Sequence, residues 1–416
     1  MSVASYLSDV VGSVFSDLGL DPALGLVVPS QRPELAQFQC NGAMAAAKKA
    51  GRPPREMADE IVDALAGRPD LARAEVAGPG FINLSLTDDA LADWIAATAA
   101  DDRLGVEPVE DPLTVVVDYA GPNVAKAMHV GHLRATIIGD SIARLFAFLG
   151  HRVIRDPHFG DWGYQMGVII AELARRHPEW PYFDSSNSGP FPDTSPVTLD
   201  DLQEIYPTAS ARSEADAEFA EAAGLATVAL QQKRPGYFAL WQHMRHVSLV
   251  AQRENFADLG VEFDIWYGES DVADLLAPLV ALFRESGAAE ESEGALVVRV
   301  GRPDDNREFP PLLLVNSRGA YLYSTTDVAT VWFRSKDLGA DLAIYVVDAR
   351  QADHFTQVFR AAEKGGVMGS MRAEHVGFGT MNGPDGKPFK TREGGVVSLR
   401  DLIELVEKAA MTRLDE

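Results

Sequence analysis

Residues 118–140 read Asp-Tyr-Ala-Gly-Pro-Asn-Val-Ala-Lys-Ala-Met-His-Val-Gly-His-Leu-Arg-Ala-Thr-Ile-Ile-Gly-Asp. The run just before them, Leu113 to Val117, is β-branched and apolar, as a buried parallel strand requires. After His132 the apolar residues Leu133, Ile137, Ile138, Ile142, Leu145 and Phe146 return at helical spacing. The segment therefore reads strand, polar turn, helix. The turn gathers Pro122, Asn123, Lys126, His129, Gly131 and His132 around a helix N-terminus. Backbone N–H groups and the positive end of the helix dipole suit a nucleotide phosphate there. Gly131 allows close approach of a ligand ring. The imidazoles of His129 and His132 can donate to phosphate oxygens.

Working outward, residues 1–110 form a candidate first domain. Helices are expected over Ala4–Leu18, Ala43–Ala50, Pro54–Leu65 and Asp88–Thr98, the last with Thr87 as its N-cap. The stretch Ala77–Leu86 reads as an edge strand, and the acidic, Pro-containing Asp101–Pro112 as a linker. Residues 113–175 form the first half of a doubly wound α/β domain. Phe183–Val197, rich in Ser, Pro, Asn and Gly, is expected to be a mobile surface loop. Asp200–Phe256 reads as helices with acidic faces. Phe263–Tyr267, Ala295–Val300, Pro311–Val315, Leu342–Val347 and His375–Gly379 read as strands. Helices fill Asp271–Glu285, Asp327–Asp337, His354–Lys364 and Ser398–Ala410.

The 416 residues fit two to three domains. No apolar run is long enough for a membrane helix, and Asp9 and Asp17 sit where a signal peptide would be basic. Cys40 stands alone, which excludes an intramolecular disulfide and a cysteine zinc cluster. Cytoplasmic residence is the expectation that follows. A formal charge of −24 argues against a broadly basic nucleic-acid surface. Any RNA contact must use a local groove and depend steeply on salt.

His129-Val130-Gly131-His132 resembles the "HIGH" signature of class I aminoacyl-tRNA synthetases, and the longer string resembles the arginyl-tRNA synthetase version. That resemblance covers residues from about 30 to 410. It implies a Rossmann-like doubly wound parallel sheet over 111–416, with a helical insertion at about 176–260. It also implies that residues 1–110 are an α+β accessory domain contacting the tRNA elbow. The substrates would be L-arginine, ATP with Mg2+ on its phosphates, and tRNA(Arg). No protein-bound metal, no membrane and a monomer are expected. His129, Gly131, His132 and Lys126 would then line the ATP.

The reaction so implied forms an aminoacyl adenylate. The amino acid carboxylate attacks the α-phosphate of ATP in line and pyrophosphate leaves. The carboxylate is already ionised, so positioning and charge stabilisation suffice and no general base is needed. The Gly-rich basic segment 385–395 resembles the place of the "KMSKS" loop, with Pro388 where the first lysine is usual. In family members of this form the lysine upstream of the first signature is thought to compensate, here Lys126. Which of Lys126, Lys387 and Lys390 reaches the leaving phosphates stays open.

A guanidinium calls for carboxylates and flat partners. Tyr323 and Asp327 are four apart at a helix start, and Gln351 follows the next strand at its carboxyl end. All three match arginine-binding positions of the family in type and spacing. Asn123 and His132 match positions that hold the substrate's amino and carboxylate groups, with Pro122 in the same turn. Asp118 matches an acid near the guanidinium, and Gly121 stands where many members have Ser. Glu269 is a further family-like acid. His158–Gln165 resembles the family's Gly-Asp-Trp-Gly turn, in which Trp162 reads as core. Family members continue into a helical anticodon-binding domain beyond the point where this chain stops, so weakened tRNA engagement is expected. Two other readings stay open. One is a paralog passing an adenylate to a non-tRNA acceptor, the other a catalytically weak module binding tRNA or a partner.

Overall fold

A computed structural model describes residues 2–126, 128, 130–317, 319–380 and 399–415. His129, Lys387 and Lys390 lie outside the described residues. The chain divides into two compact units, Met1–Glu110 and Asp111–Glu416. Among the described residues no helix is long and apolar enough to cross a membrane.

The first unit holds helices α1 (Val3–Asp17), α2 (Gly42–Ala50), α3 (Pro54–Leu65) and α4 (Asp88–Ala100). Its strands are β1 (Val27–Pro29), β2 (Phe38–Cys40), β3 (Leu71–Ala77) and β4 (Phe81–Leu86), in the antiparallel order β1-β2-β4-β3. Thr87 caps α4 by accepting the Ala90 N–H. The stretch expected at the sheet edge is instead interior, since β4 pairs on both sides. Ile82 and Leu84 are fully buried on it. The polar Asn83 fits there because Gln39 donates to its Oδ1 at 2.9 Å.

The second unit opens with β5 (Thr114–Tyr119), α5 (Val130–Phe148), β6 (Arg152–Asp156) and α6 (Tyr164–Arg176). Three helices follow, α7 (Leu199–Ala215), α8 (Ala217–Gln231) and α9 (Pro235–Asp258). Then come α10 (Ala273–Glu285) and an antiparallel trio, β7 (Glu290–Ser292), β8 (Ala295–Val298) and β9 (Leu312–Val315). The chain returns as α11 (Tyr323–Lys336), β10 (Leu342–Asp348), α12 (Ala352–Lys364), β11 (Arg372–Phe378) and α13 (Leu399–Asp415).

Strands β11-β10-β5-β6 form one parallel sheet. Val115, Val116, Val117 and Tyr119 of β5 are fully buried, as a central strand covered on both faces demands. β5 leads onward to β6 on one side and pairs with the late strand β10 on the other. That is a topological switch point, and ligands of such sheets bind at the carboxyl ends there. Helix α5 lies tight against β5: a Cβ on Gly139 would stand 2.2 Å from the Tyr119 ring.

Two further expectations meet a different structure. Residues 263–267 form no strand. Asp264 and Ile265 donate to the Arg155 carbonyl at 3.1 and 3.2 Å without joining the sheet. Their neighbours Phe263 and Trp266 pack into an aromatic cluster, with ring centroids 4.8 and 6.0 Å from that of Phe256. The stretch 183–197 is irregular but tied down. Phe191 stacks on buried Tyr182 at 5.4 Å, and Val197 is buried.

Candidate active site

The turn after β5 has three residues in the left-handed region, Ala120 (φ 77), Gly121 (φ 47) and Ala125 (φ 63). For the two alanines this costs on the order of 1 kcal/mol each, and surrounding bonds must fix it. The Val124 N–H donates to the Gly160 carbonyl at 3.0 Å, and the Gly160 N–H to that of Pro122 at 3.3 Å. From α9, buried Ser248 accepts the Ala125 N–H at 2.9 Å, and Gln252 donates to the Asn123 carbonyl at 3.0 Å. Gln165 of α6 donates to the Val124 carbonyl at 2.7 Å. Helices α6 and α9 thus prop the turn on which Asn123 sits. The Asn123 side chain lies against Gly160, where a Cβ would come within 2.2 Å of its Oδ1.

Gly131 and His132 occupy the first turn of α5. The His132 carbonyl accepts from Thr136 Oγ1 at 2.8 Å. Lys126 turns towards α7, its Nζ 4.3 Å from the centre of the Tyr206 ring. The chain on both sides of residues 381–398 is fastened to this region. Arg134 donates to the carbonyls of Gly379 and Thr380, and the Leu399 N–H donates to that of Met128 at 2.9 Å.

Across the switch point, Tyr323 is the first residue of α11 and is exposed. Asp327 lies one turn on. Its Oδ2 is 2.5 Å from Nε2 of His354, a residue of α12 that the sequence reading missed. The rings of Tyr323 and His354 lie 4.9 Å apart. Gln351, also exposed, ends the short 3-10 turn that follows β10. The Glu269 carboxylate accepts the Trp162 N–H at 3.2 Å. Burial, together with the neighbouring carboxylates of Asp161 and Asp327, pushes the Glu269 carboxyl up to about 7. Tyr323, Asp327 and His354 therefore form one contiguous group, and the Glu269 carboxyl lies close enough to Asp327 to feel its charge.

Asp118 is engaged inside the protein. It is buried, with Oδ2 at 2.7 Å from a guanidinium nitrogen of Arg334, which also binds Asp156 at 2.7 Å. Burial lifts the Asp118 carboxyl. Against its own burial, Asp156 stays low through His158 and Arg334. In the Gly-Asp-Trp-Gly turn, Trp162 is core and Asp161 is fully buried, bonded by Arg245 at 2.8 Å and Ser270 Oγ at 2.7 Å.

A parallel sheet whose central strand runs into a glycine-bearing turn and a helix N-terminus at a topological switch point defines a nucleotide-binding α/β protein, and the family match makes it a class I tRNA synthetase. Residues 95–416 match the family described as "tRNA synthetases class I (R), catalytic domain", and residues 2–86 match "Arginyl tRNA synthetase N terminal domain". The chain belongs to the arginyl-tRNA synthetase family. It is 50% identical over 416 residues to the arginine–tRNA ligase of Maricaulis maris, covering 100% of this chain and 71% of that protein. With the Alkaliphilus oremlandii enzyme of the same name it shares 46% over 411 residues, which is 99% of this chain and 70% of the relative. Among solved structures, the Thermus thermophilus arginyl-tRNA synthetase superposes with a TM-score of 0.71 at 21% identity, over 100% of this chain and 71% of that one, and so bears on the fold alone. The Plasmodium falciparum enzyme gives 0.67 at 25% identity, over 91% and 65%.

Proposed function

We propose that this chain activates L-arginine with ATP and transfers it to the 3′ end of tRNA(Arg) in the cytoplasm, with the arginine side chain read by Asp327, Glu269 and Tyr323. The observation that carries the reading is the pair of carboxylates near the carboxyl edge of the sheet. Asp327 and Glu269 are close enough for the first to help raise the second to about 7. A planar cation entering there relieves that repulsion and gains charge-assisted hydrogen bonds. Tyr323 offers a ring face, and Gln351 an amide at the rim.

Asn123 and His132 hold the amino and carboxylate groups of the substrate on the turn after β5. ATP lies along the N-terminus of α5, its phosphates met by the first turn of that helix, by His129 and His132, and by lysines. Mg2+ accompanies the phosphates as part of the substrate. Lys126 reaches the phosphates by leaving Tyr206, or Lys387 and Lys390 do so from the basic segment. In the second step the terminal ribose hydroxyl attacks the acyl carbonyl and AMP leaves. Residues 1–110 contribute contacts to the tRNA elbow.

ATP–pyrophosphate exchange with arginine, lysine and citrulline, each with and without tRNA, tests the reading. The expected outcome is arginine-specific exchange, joined by arginylation of total tRNA. Equal exchange with citrulline, which lacks the charge, would remove the basis of the assignment.

A further inference from the structure

Arg334 is the largest fully buried side chain among the described residues, and the sequence reading gave it no role. It bridges Asp118 and Asp156 at 2.7 Å each, and its guanidinium carbon lies 4.8 Å from the centre of the Tyr345 ring. These three neighbours form one row of the sheet. Tyr345 of β10 pairs with Asp118 of β5, and Asp118 with Asp156 of β6, so all three side chains leave the sheet on the same face. Arg334 thus spans three strands across the switch point.

It does so from the helix that carries the pocket. Tyr323, Asp327, Thr330 and Arg334 fall at i, i+4, i+7 and i+11 along α11, which is one helical face. Thr330 Oγ1 lies 3.3 Å from Nε2 of His158, whose Nδ1 is 3.7 Å from Asp156. At about 1.5 Å per residue, Arg334 grips the sheet roughly 10 Å along the helix from Asp327.

Desolvating these charges is a costly way to fill a core. Two buried carboxylates share one guanidinium, and Nε and Nη1 of Arg334 have no hydrogen-bond partner among the described residues. Apolar side chains of similar volume would hold such a junction at least as well. What they would lack is direction. Through Nη2 the guanidinium meets one oxygen on each of two strands, so it ties the rotation and height of the helix to both strands at once. We propose that Arg334 is a positioning residue for arginine recognition, locking α11 to the sheet so that Asp327 and Tyr323 face the pocket in one register; the inference rests on Asp327 reading the guanidinium.

The test uses the full chain and three variants. Arg334→Lys keeps the charge but replaces the planar guanidinium with a compact, more strongly hydrated ammonium. Arg334→Met is combined with Asp156→Asn, so that one carboxylate is not left without its cation. Asp156→Asn alone leaves Arg334 paired with Asp118 and is the mildest change. Arginine and ATP binding are measured separately by calorimetry, beside thermal melting. In the Arg334 variants that melt cooperatively, arginine affinity should fall at least 10-fold while ATP affinity changes less than twofold. Asp156→Asn should shift arginine affinity the same way by at least threefold. Folded Arg334 variants that bind arginine within twofold of the parent, or that lose both ligands equally, overturn the proposal. So does failure of all three to fold, which would make Arg334 a packing residue. Asp327→Asn is run alongside. If it keeps parental arginine affinity, the pocket reading itself is wrong; if it loses arginine while the Arg334 variants keep it, only the positioning role fails.

Discussion

Replacing Asp327 with Asn keeps the shape of the side chain and removes its charge, which isolates the electrostatic part of arginine recognition. The carboxylate side chain is 23% exposed and His354 beside it 15%, so the pair is shielded without being dry. Breaking a fully buried ion pair costs about 3–5 kcal/mol. A hydrogen bond to a charged group contributes about 1.5–3 kcal/mol net. The remaining exposure, and the negative charge that Glu269 still supplies in part, place Asp327→Asn at about 2–3 kcal/mol. At about 1.4 kcal/mol per tenfold, that is a loss of roughly 30- to 150-fold in arginine affinity. The assay is the arginine KM in ATP–pyrophosphate exchange with tRNA present, paired with a calorimetric Kd. The ATP KM should move less than about twofold, because Asp327 sits across the switch point from the α5 turn. An arginine KM within threefold of the parent, or a matched rise in both KM values, would refute the reasoning.

Glu269 has a carboxyl pKa raised to about 7 from an ordinary value of 4.5, so its protonated form favours the folded state. That contribution is complete below 4.5 and is lost as pH rises through about 7; Glu269→Gln should therefore melt higher than the parent at pH 8 but not at pH 4.5, and calorimetry in two buffers should show arginine binding at pH 7 releasing protons from the parent only. His158 is depressed by burial but lifted by Asp156 to a net value of about 9, so its stabilisation is full below 6.5 and lost as pH rises through 9. A parent melting temperature that does not fall between about pH 7 and 9.5, or that falls equally in His158→Gln, would count against the His158–Asp156 pair. Gly139→Ala forces a methyl into the Tyr119 ring and should destabilise by about 1–3 kcal/mol, read as a lower denaturant midpoint with unchanged slope.

Sequence was most informative where a local rule and a global role coincide. Val115, Val116 and Val117 read as a buried strand because nothing polar interrupts them, and β5 is a central strand. Thr87 announced α4 through its own hydroxyl. Residues 263–267 show the limit: an apolar run can enter an aromatic cluster as readily as a sheet, and local pattern does not distinguish them. The site divides similarly. Tyr323 and Asp327 could be picked out because they share one helix turn. His354 could not, because its link to Asp327 spans 27 residues and depends on how α11 and α12 pack. Arg334 was hidden further still. A lone arginine in an amphipathic helix reads as solvent-facing, and only the in-register row formed by Tyr345, Asp118 and Asp156 gives it a reason to be buried.

The contact between His354 and Asp327 gives the pocket a resident occupant. Any cation arriving at Asp327 meets a carboxylate whose Oδ2 already has an imidazole nitrogen at 2.5 Å. A lysine ammonium, compact and strongly hydrated, must shed water to gain a single point contact. A guanidinium can address the other carboxylate oxygen and Glu269 together through its planar fork, leaving the imidazole where it is. With Asp327 reading the guanidinium as proposed, His354→Ala should narrow the preference for arginine over lysine in ATP–pyrophosphate exchange, since it opens Oδ2 to a point charge.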